Sequence, residues 1–326
     1  MIMSRRPRRL RVTDSVRSAV RENNIQADDL IYPLFVVEGD QKKITISSMP
    51  GIFKQSIDLI LKEIEECTQL GIKAFILFGT PSTKDARATK AYDTNNIVQK
   101  ATRAIKSKFP DVWLIADICV CSYTDHGHCG ILDHGKVLND ESLEVLAKMA
   151  VSCSNAGVDT VAPSAMMDNQ IQALRTALDK EHLIETSIMS YSAKYFSSFY
   201  GPFREAADSA PQQGDRSTYQ MDPGNSKEAI VETQIDIDQG ADFIMVKPAM
   251  SYMDIITKLD AAFDIPLVAY NVSGEYSMIK AAAEKGWIDE KKLVHELLLS
   301  FKRAGADLII SYFAKDFLKH QNGFQS

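Results

Sequence analysis

With 326 residues and a formal net charge of −6, the chain lacks the positive charge of a nucleic-acid binder, and its 45% hydrophobic and 25% charged content is that of an ordinary globular protein with ample core. No apolar run reaches the ~18 residues that would span a bilayer and no signal peptide opens the chain, so we expect a cytoplasmic protein with no membrane partner. Five cysteines, three of them clustered beside histidines, suit a reducing compartment and metal chemistry better than a disulfide scaffold.

The chain opens on RRPRRLR at residues 5 to 11, followed by a short stretch of helical pattern from 14 to 23. The basic run is too short for a nucleic-acid patch and leads into an ordinary helix, so residues 1 to 25 are expected to form an arm that grips a partner subunit. From there residues 26 to 326 follow one rhythm. LIYPLFVV (30 to 37) begins a series of apolar runs at 73 to 79, 112 to 117, 158 to 162, 187 to 191, 242 to 247, 266 to 270 and 306 to 311. Amphipathic segments such as IDLILKEIEECTQLG and NIVQKATRAIKSKF separate them, with apolar positions at helical spacing and glycine at several ends. Strands that are apolar throughout are buried on both faces, and eight of them alternating with helices predict an α/β fold, a closed parallel (β/α)8 TIM barrel. An open doubly wound sheet is the alternative, but no G-x-G-x-x-G follows the first strand to favour a dinucleotide fold.

Two segments break the rhythm, and both follow strand C-terminal ends, the face on which barrel enzymes carry their chemistry. The first, residues 118 to 139, holds most of DICVCSYTDHGHCG. If the backbone stays extended past the third strand, alternation places Asp117, Cys119 and Cys121 on one face, and Cys129 returns across a polar turn. Three soft sulfur ligands suit zinc, although C-x-C-x7-C is not a standard finger spacing and paired buried cysteines remain an alternative. Cys67 and Cys153 fall on helical patterns and read as core. The second segment, about 196 to 226, has no periodicity and is expected to be a long lid loop. Its two arginines, Arg204 and Arg216, sit among Phe196, Phe199, Tyr200, Phe203 and Tyr219, a composition suited to closing over a carboxylate.

Two lysines end adjacent strands, Lys194 just past the fifth and Lys247 at the end of the sixth. A lysine at a strand end is ordinarily a solvated charge. Lys247 is different, because FIMV leads into it and proline follows, which argues for a buried amine. Burial and a second ammonium nearby both lower a lysine pKa, leaving the neutral amine that condenses with a ketone to a Schiff base. Ser273 after the seventh strand and Tyr312 after the eighth offer hydroxyls on the same face.

At this point the residues resemble the porphobilinogen synthase (5-aminolevulinate dehydratase) family, through RPRRLR, DICVCSYTDHGHCG, VAPSAMMD, MSYSAKYFSSFYGPFREA, DFIMVKPAMSYMDII, VAYNVSGEY and GADLIISYFA. The match runs over nearly the whole chain. The resemblance implies a lyase that joins two molecules of 5-aminolevulinate into porphobilinogen, with loss of two waters, in tetrapyrrole (haem) biosynthesis. It implies that Lys247 forms the Schiff base with the first substrate, with Ser273 and Tyr312 at its carboxylate and Asp117 and Ser164 near its amine. Lys194 serves the second substrate, with Arg204, Arg216 and Gln220 at the other carboxylate. Cys119, Cys121 and Cys129 match the zinc-dependent branch, in which the metal is catalytic, and Glu232 matches a position that in many bacterial members joins an allosteric magnesium site between subunits. His126 and His128 read as loop structure or as neighbours of the ligands. The family commonly assembles as a homo-octamer through its arm. A class I Schiff-base aldolase on the same barrel is the rival, with one lysine and a structural zinc.

Overall fold

A computed structural model describes residues 5–323. Eight parallel strands, β1 (Leu30–Val37), β2 (Ala74–Thr80), β3 (Trp113–Ile118), β4 (Thr160–Pro163), β5 (Ser187–Lys194), β6 (Phe243–Lys247), β7 (Leu267–Asn271) and β8 (Leu308–Ser311), pair in chain order. The sheet closes through Leu30 opposite Ile309 and Ile31 opposite Ile310, so the fold is a (β/α)8 barrel. A short antiparallel pair, Lys43–Thr45 and Phe53–Gln55, is attached to β1, and a small hairpin, Ile131–Asp133 and Lys136–Leu138, stands outside the barrel.

The expected strands lie within a few residues of the observed ones. The main difference is β5, which runs on to Lys194, so this lysine is part of the strand rather than beyond it. The outer helices are built as their periodicity dictates. In Ile57–Gln69 the buried residues Ile60, Ile64 and Cys67 form one stripe against the sheet. The expected helix at 14 to 23 is shorter, Asp14–Ala19, and buries none of its residues.

One device recurs at the N-terminal end of the barrel. The aspartates before β4, β6 and β8 each accept a backbone N–H of the preceding strand, β3, β5 and β7. Asp159 holds Leu114 N at 2.7 Å, Asp242 holds Ile188 N at 2.7 Å, and Asp307 holds Leu267 N at 2.8 Å. The backbone of each aspartate donates in return to the carbonyl of the same residue, at 3.0, 2.9 and 2.8 Å. These reciprocal pairs anchor β3 to β4, β5 to β6 and β7 to β8 at the N-terminal end of the barrel. Removing one leaves a buried N–H without its charged acceptor, so Asp242→Ala is expected to cost about 1–3 kcal/mol in denaturant unfolding.

Candidate active site

The two lysines are brought face to face by strand register. Lys194 of β5 lies directly opposite Lys247 of β6, past a register shift between Ile244 and Val246. Facing residues of paired strands point to the same side, so both amines enter the barrel mouth. Lys194 is 4% exposed and Lys247 5%, a depth at which neither ammonium is solvated as on a surface. The Lys194 Nζ donates to the carbonyl of Ser164. The Lys247 Nζ lies among aromatic faces, 4.1 Å from the ring centre of Tyr270, 4.9 Å from Tyr191, 5.1 Å from Phe203 and 5.5 Å from Tyr200. Burial, followed by the charge of Lys194, lowers the Lys247 pKa to about 7, against the opposing pull of Asp117. Asp117, near the end of β3, shows the converse, since burial raises its carboxyl to about 6 although Lys247 and Lys194 pull it down.

The cysteines converge by a different route from the one expected. β3 ends at Ile118, and the backbone then turns, with Tyr123 N and Thr124 N both bonded to the Val120 carbonyl at 2.8 and 2.9 Å. Strand alternation therefore does not place Cys121, and a tight turn does. Cys119, Cys121 and Cys129 are all buried, and their sulfurs lie within 4.8 Å of one another. Hydrogen bonds from Cys119 and Cys121 hold the Cys129 thiol well below the usual range, while the same contacts push Cys119 up. Cys67 and Cys153 are pushed up by burial to about 12, as core thiols should be. Three convergent sulfurs with one readily ionised form a donor set for a soft metal ion. The histidines stand aside. His128 donates through Nε2 to the Gln213 carbonyl at 2.8 Å and faces the Tyr219 hydroxyl through Nδ1 at 3.1 Å, which ties the cysteine loop to residues of the 196–226 segment.

That segment is not the structureless loop expected from sequence. A turn of 3-10 helix at Ser198–Tyr200 leads into the helix Gly201–Ala206, which carries Arg204. The segment rejoins β5 where Met221 N bonds the Lys194 carbonyl at 3.1 Å. Arg216 is 4% exposed and donates to the carbonyls of Gly127 and Ser209 at 3.0 and 2.6 Å. Burial works against its charge, but the Cys129 and Cys121 sulfurs outweigh burial and raise its pKa. Arg204 is lowered by burial and by Arg216. The Ser273 hydroxyl accepts from Phe203 N at 2.9 Å, and the Tyr312 hydroxyl meets that of Tyr270 at 3.2 Å. Contact between the segment and the β7 loop depends on Gly274, where a Cβ would lie 2.5 Å from the Phe199 carbonyl oxygen.

Several buried polar atoms here have no hydrogen-bond partner among the described residues, namely Asp117 Oδ1, the Nε of Arg204 and Arg216, and both amide atoms of Gln220. Polar atoms left this way cost free energy unless a ligand or water completes them. Lys194, Lys247, Asp117, Ser164, Ser273, Tyr312 and the three cysteines are thus gathered on one rim with Arg204, Arg216 and Gln220 on the covering segment. Glu232 is not among them. It lies on the helix Lys227–Asp238 and lines a cleft of about 1010 Å³ with Asp168, Glu228 and Asp236. Its carboxyl is raised to about 6 by burial, with Asp236, Asp168 and Glu228 adding to it. Sequence reasoning missed the aromatic wall around Lys247. Tyr191 and Tyr270 sit inside continuous apolar strands, where no alternation marks which residues face inward.

A buried amine pair beside a thiol cluster on a barrel rim has the make-up of imine-forming barrel enzymes. The family is shown by comparison. The model of the family "Delta-aminolevulinic acid dehydratase" matches residues 4–320, and the chain belongs to that family. It is 57% identical over 315 residues to the delta-aminolevulinic acid dehydratase of Synechocystis, covering 95% of this chain and 96% of that protein. It is 55% identical over 314 residues to the Bacillus subtilis protein of the same name, covering 96% and 97%. Among solved structures, delta-aminolevulinic acid dehydratase (porphobilinogen synthase) from Toxoplasma gondii ME49, in complex with the reaction product porphobilinogen, superposes with a TM-score of 0.97 at 45% identity, covering 100% of this chain and 95% of that one.

A neutral amine is the form that adds to a carbonyl, so the position of Lys247 sets a pH profile. The rate at which Lys247 forms an imine with a small ketone, trapped by reduction, is expected to rise about tenfold per pH unit up to about 7 and to level off above it. An ordinary lysine would keep gaining rate to about pH 10.

Proposed function

We propose that this chain is a porphobilinogen synthase, condensing two molecules of 5-aminolevulinate to porphobilinogen with loss of two waters, a step of tetrapyrrole (haem) biosynthesis. The observation that carries the reading is the Lys194–Lys247 pair, in register and buried, with the three cysteines on the same rim. A substrate with a ketone, a carboxylate and an amine needs an imine-forming amine, an anion clamp and a polar partner for its amine, and two copies need each twice.

In this reading the neutral Lys247 amine adds to the ketone of the first substrate and expels water, leaving a protonated imine that the rings of Tyr270 and Tyr191 stabilise as a cation. Ser273 and Tyr312 hold its carboxylate, and Asp117 and Ser164 take its amine. Lys194 forms the second imine, while Arg204, Arg216 and Gln220 clamp the second carboxylate from the lid. Buried and already positioned, these groups need little reorganisation, and a closed lid keeps water from both imines. Carbon–carbon and carbon–nitrogen bond formation between the two held substrates then closes the ring.

Cys119, Cys121 and Cys129 would hold zinc. A zinc ion held by these three sulfurs would supply a Lewis acid toward the second substrate. Glu232, with the oxygens of Asp168, Glu228 and Asp236 about it, would contribute to an allosteric magnesium site. Oxygen ligands suit that ion. Among the described residues no second group of three ligand atoms converges as the sulfurs do, so water or a partner subunit would complete it. The N-terminal arm, residues 1 to 25, would grip a neighbouring barrel in a homo-octamer. Of this arm residues 1 to 4 lie outside the described structure, and residues 7 to 19 bury no side chain against their own barrel, which leaves them free for a partner.

Incubation with 5-aminolevulinate is expected to yield a pyrrole, and reduction with borohydride during turnover should label Lys247, read by peptide mass. Lys247→Met should lower kcat by at least about 10³. Labelling of neither lysine would rule out the assignment and favour neither dehydratase nor aldolase. Stripping zinc with a chelator should abolish pyrrole formation, with recovery on adding zinc back, and full activity in the stripped protein would remove the metal from the mechanism.

A further inference from the structure

Glu275 is a carboxylate with none of its residue surface exposed and no lysine or arginine ion partner among the described residues. Burial raises its carboxyl to about 7 against the hydrogen bonds it accepts, and a carboxyl buried at that cost requires a reason. It stands in the first turn of the helix Ser273–Glu284, so the ordinary reading is a cap on that helix, and its contact with Val272 N at 3.0 Å fits this. The remaining contacts do not. Its other oxygen accepts Met250 N at 2.8 Å, from the turn that follows Lys247, twenty-five residues away in sequence. Asn271 Nδ2 at the end of β7 donates to it at 2.8 Å. The network continues, because Asn271 Oδ1 accepts from the Ser311 hydroxyl at 2.9 Å, and that hydroxyl accepts Phe313 N at 3.1 Å. Asn271 and Ser311 are likewise fully buried.

One carboxylate therefore joins the ends of β6, β7 and β8. These three ends carry Lys247, Ser273 and Tyr312, which in the proposed function bind the ketone and the carboxylate of the same substrate molecule. All the groups facing Glu275 are donors, and an ionised carboxylate accepts from all of them, whereas a glutamine would turn an NH2 toward N–H groups.

We propose that Glu275 is a positioning residue for the first substrate, setting the distance between the imine-forming amine of Lys247 and the carboxylate clamp of Ser273 and Tyr312 through the Asn271–Ser311 network. It touches no substrate itself. The inference rests on the proposed function and is tested within it, using the full-length enzyme loaded with zinc. Pyrrole formation from 5-aminolevulinate gives KM and kcat, and 4-oxopentanoate, which has the ketone and carboxylate but no amine, reports on the first site by reductive trapping on Lys247. Thermal unfolding is followed alongside.

For Glu275→Gln we expect KM and the half-saturation of trapping by 4-oxopentanoate to rise about tenfold or more, with trapping still reaching completion at high ketone. Ser311→Ala, which removes one hydroxyl from the far end of the network, should raise both about threefold. A helix cap alone predicts lower thermal stability with KM and trapping unchanged per folded molecule, and that outcome overturns the proposal. If Glu275→Gln yields no folded protein, Ser311→Ala decides, and an unchanged half-saturation there overturns it equally. If the wild-type enzyme forms no pyrrole, the proposed function fails rather than the network.

Discussion

Two ammonium groups cannot both be kept charged side by side in a pocket from which water is largely excluded, and the rest of the rim is arranged around that constraint. Burial, followed by the charge of Lys194, disfavours the Lys247 ammonium, so Lys247 gives up its proton near neutral pH. The pairing is not made by side-chain reach. It is set by strand pairing: Asp242 and its reciprocal bonds to Ile188 begin the pairing at the far end of the barrel, and the register shift between Ile244 and Val246 then brings Lys194 opposite Lys247. Backbone pairing between β5 and β6, with its shift after Ile244, thus sets the neighbour that lowers the pKa of Lys247.

The surroundings of the pair separate into two sides. Around Lys247 the wall is aromatic, with Tyr191, Tyr200, Phe203 and Tyr270, a setting that excludes water yet tolerates a cation over the rings. On the other side lie the cysteines and Arg216: the Cys129 and Cys121 sulfurs raise the arginine against its burial, and hydrogen bonds from Cys119 and Cys121, aided by Arg216, lower Cys129. The covering segment belongs to both sides. Phe203 closes the aromatic wall, Arg216 approaches the sulfurs, and Tyr219 meets His128 beside Cys129. The segment can lie this close because Gly274 and Gly127 present no side chain where the Phe199 and Ala210 backbones approach.

Much of this was legible in the sequence, because barrel strands are buried on both faces and write themselves as unbroken apolar runs. The same property hid the rest. In a run such as IMSYS or LVAY nothing distinguishes an inward tyrosine from an outward one, so the wall around Lys247 left no pattern. Alternation misled at Cys121, since the chain leaves the strand at Ile118 and a turn does the gathering. The helix Gly201–Ala206 was not legible because six residues with glycine and proline at its start carry no periodicity. The aspartates of VDT, ADF and ADL do recur before strands, and their clamp could have been read from that repetition.

Burial and the neighbouring Lys194 bring Lys247 to titrate near neutral pH, and a direct titration of that one amine tests this. With lysine labelled at Cε with carbon-13, the NMR signal of Lys247 should titrate near pH 7, and in Lys194→Gln, which keeps a polar neighbour without its charge, the midpoint should move upward. A midpoint near 10 in the unsubstituted protein, that of an ordinary lysine, would contradict the account.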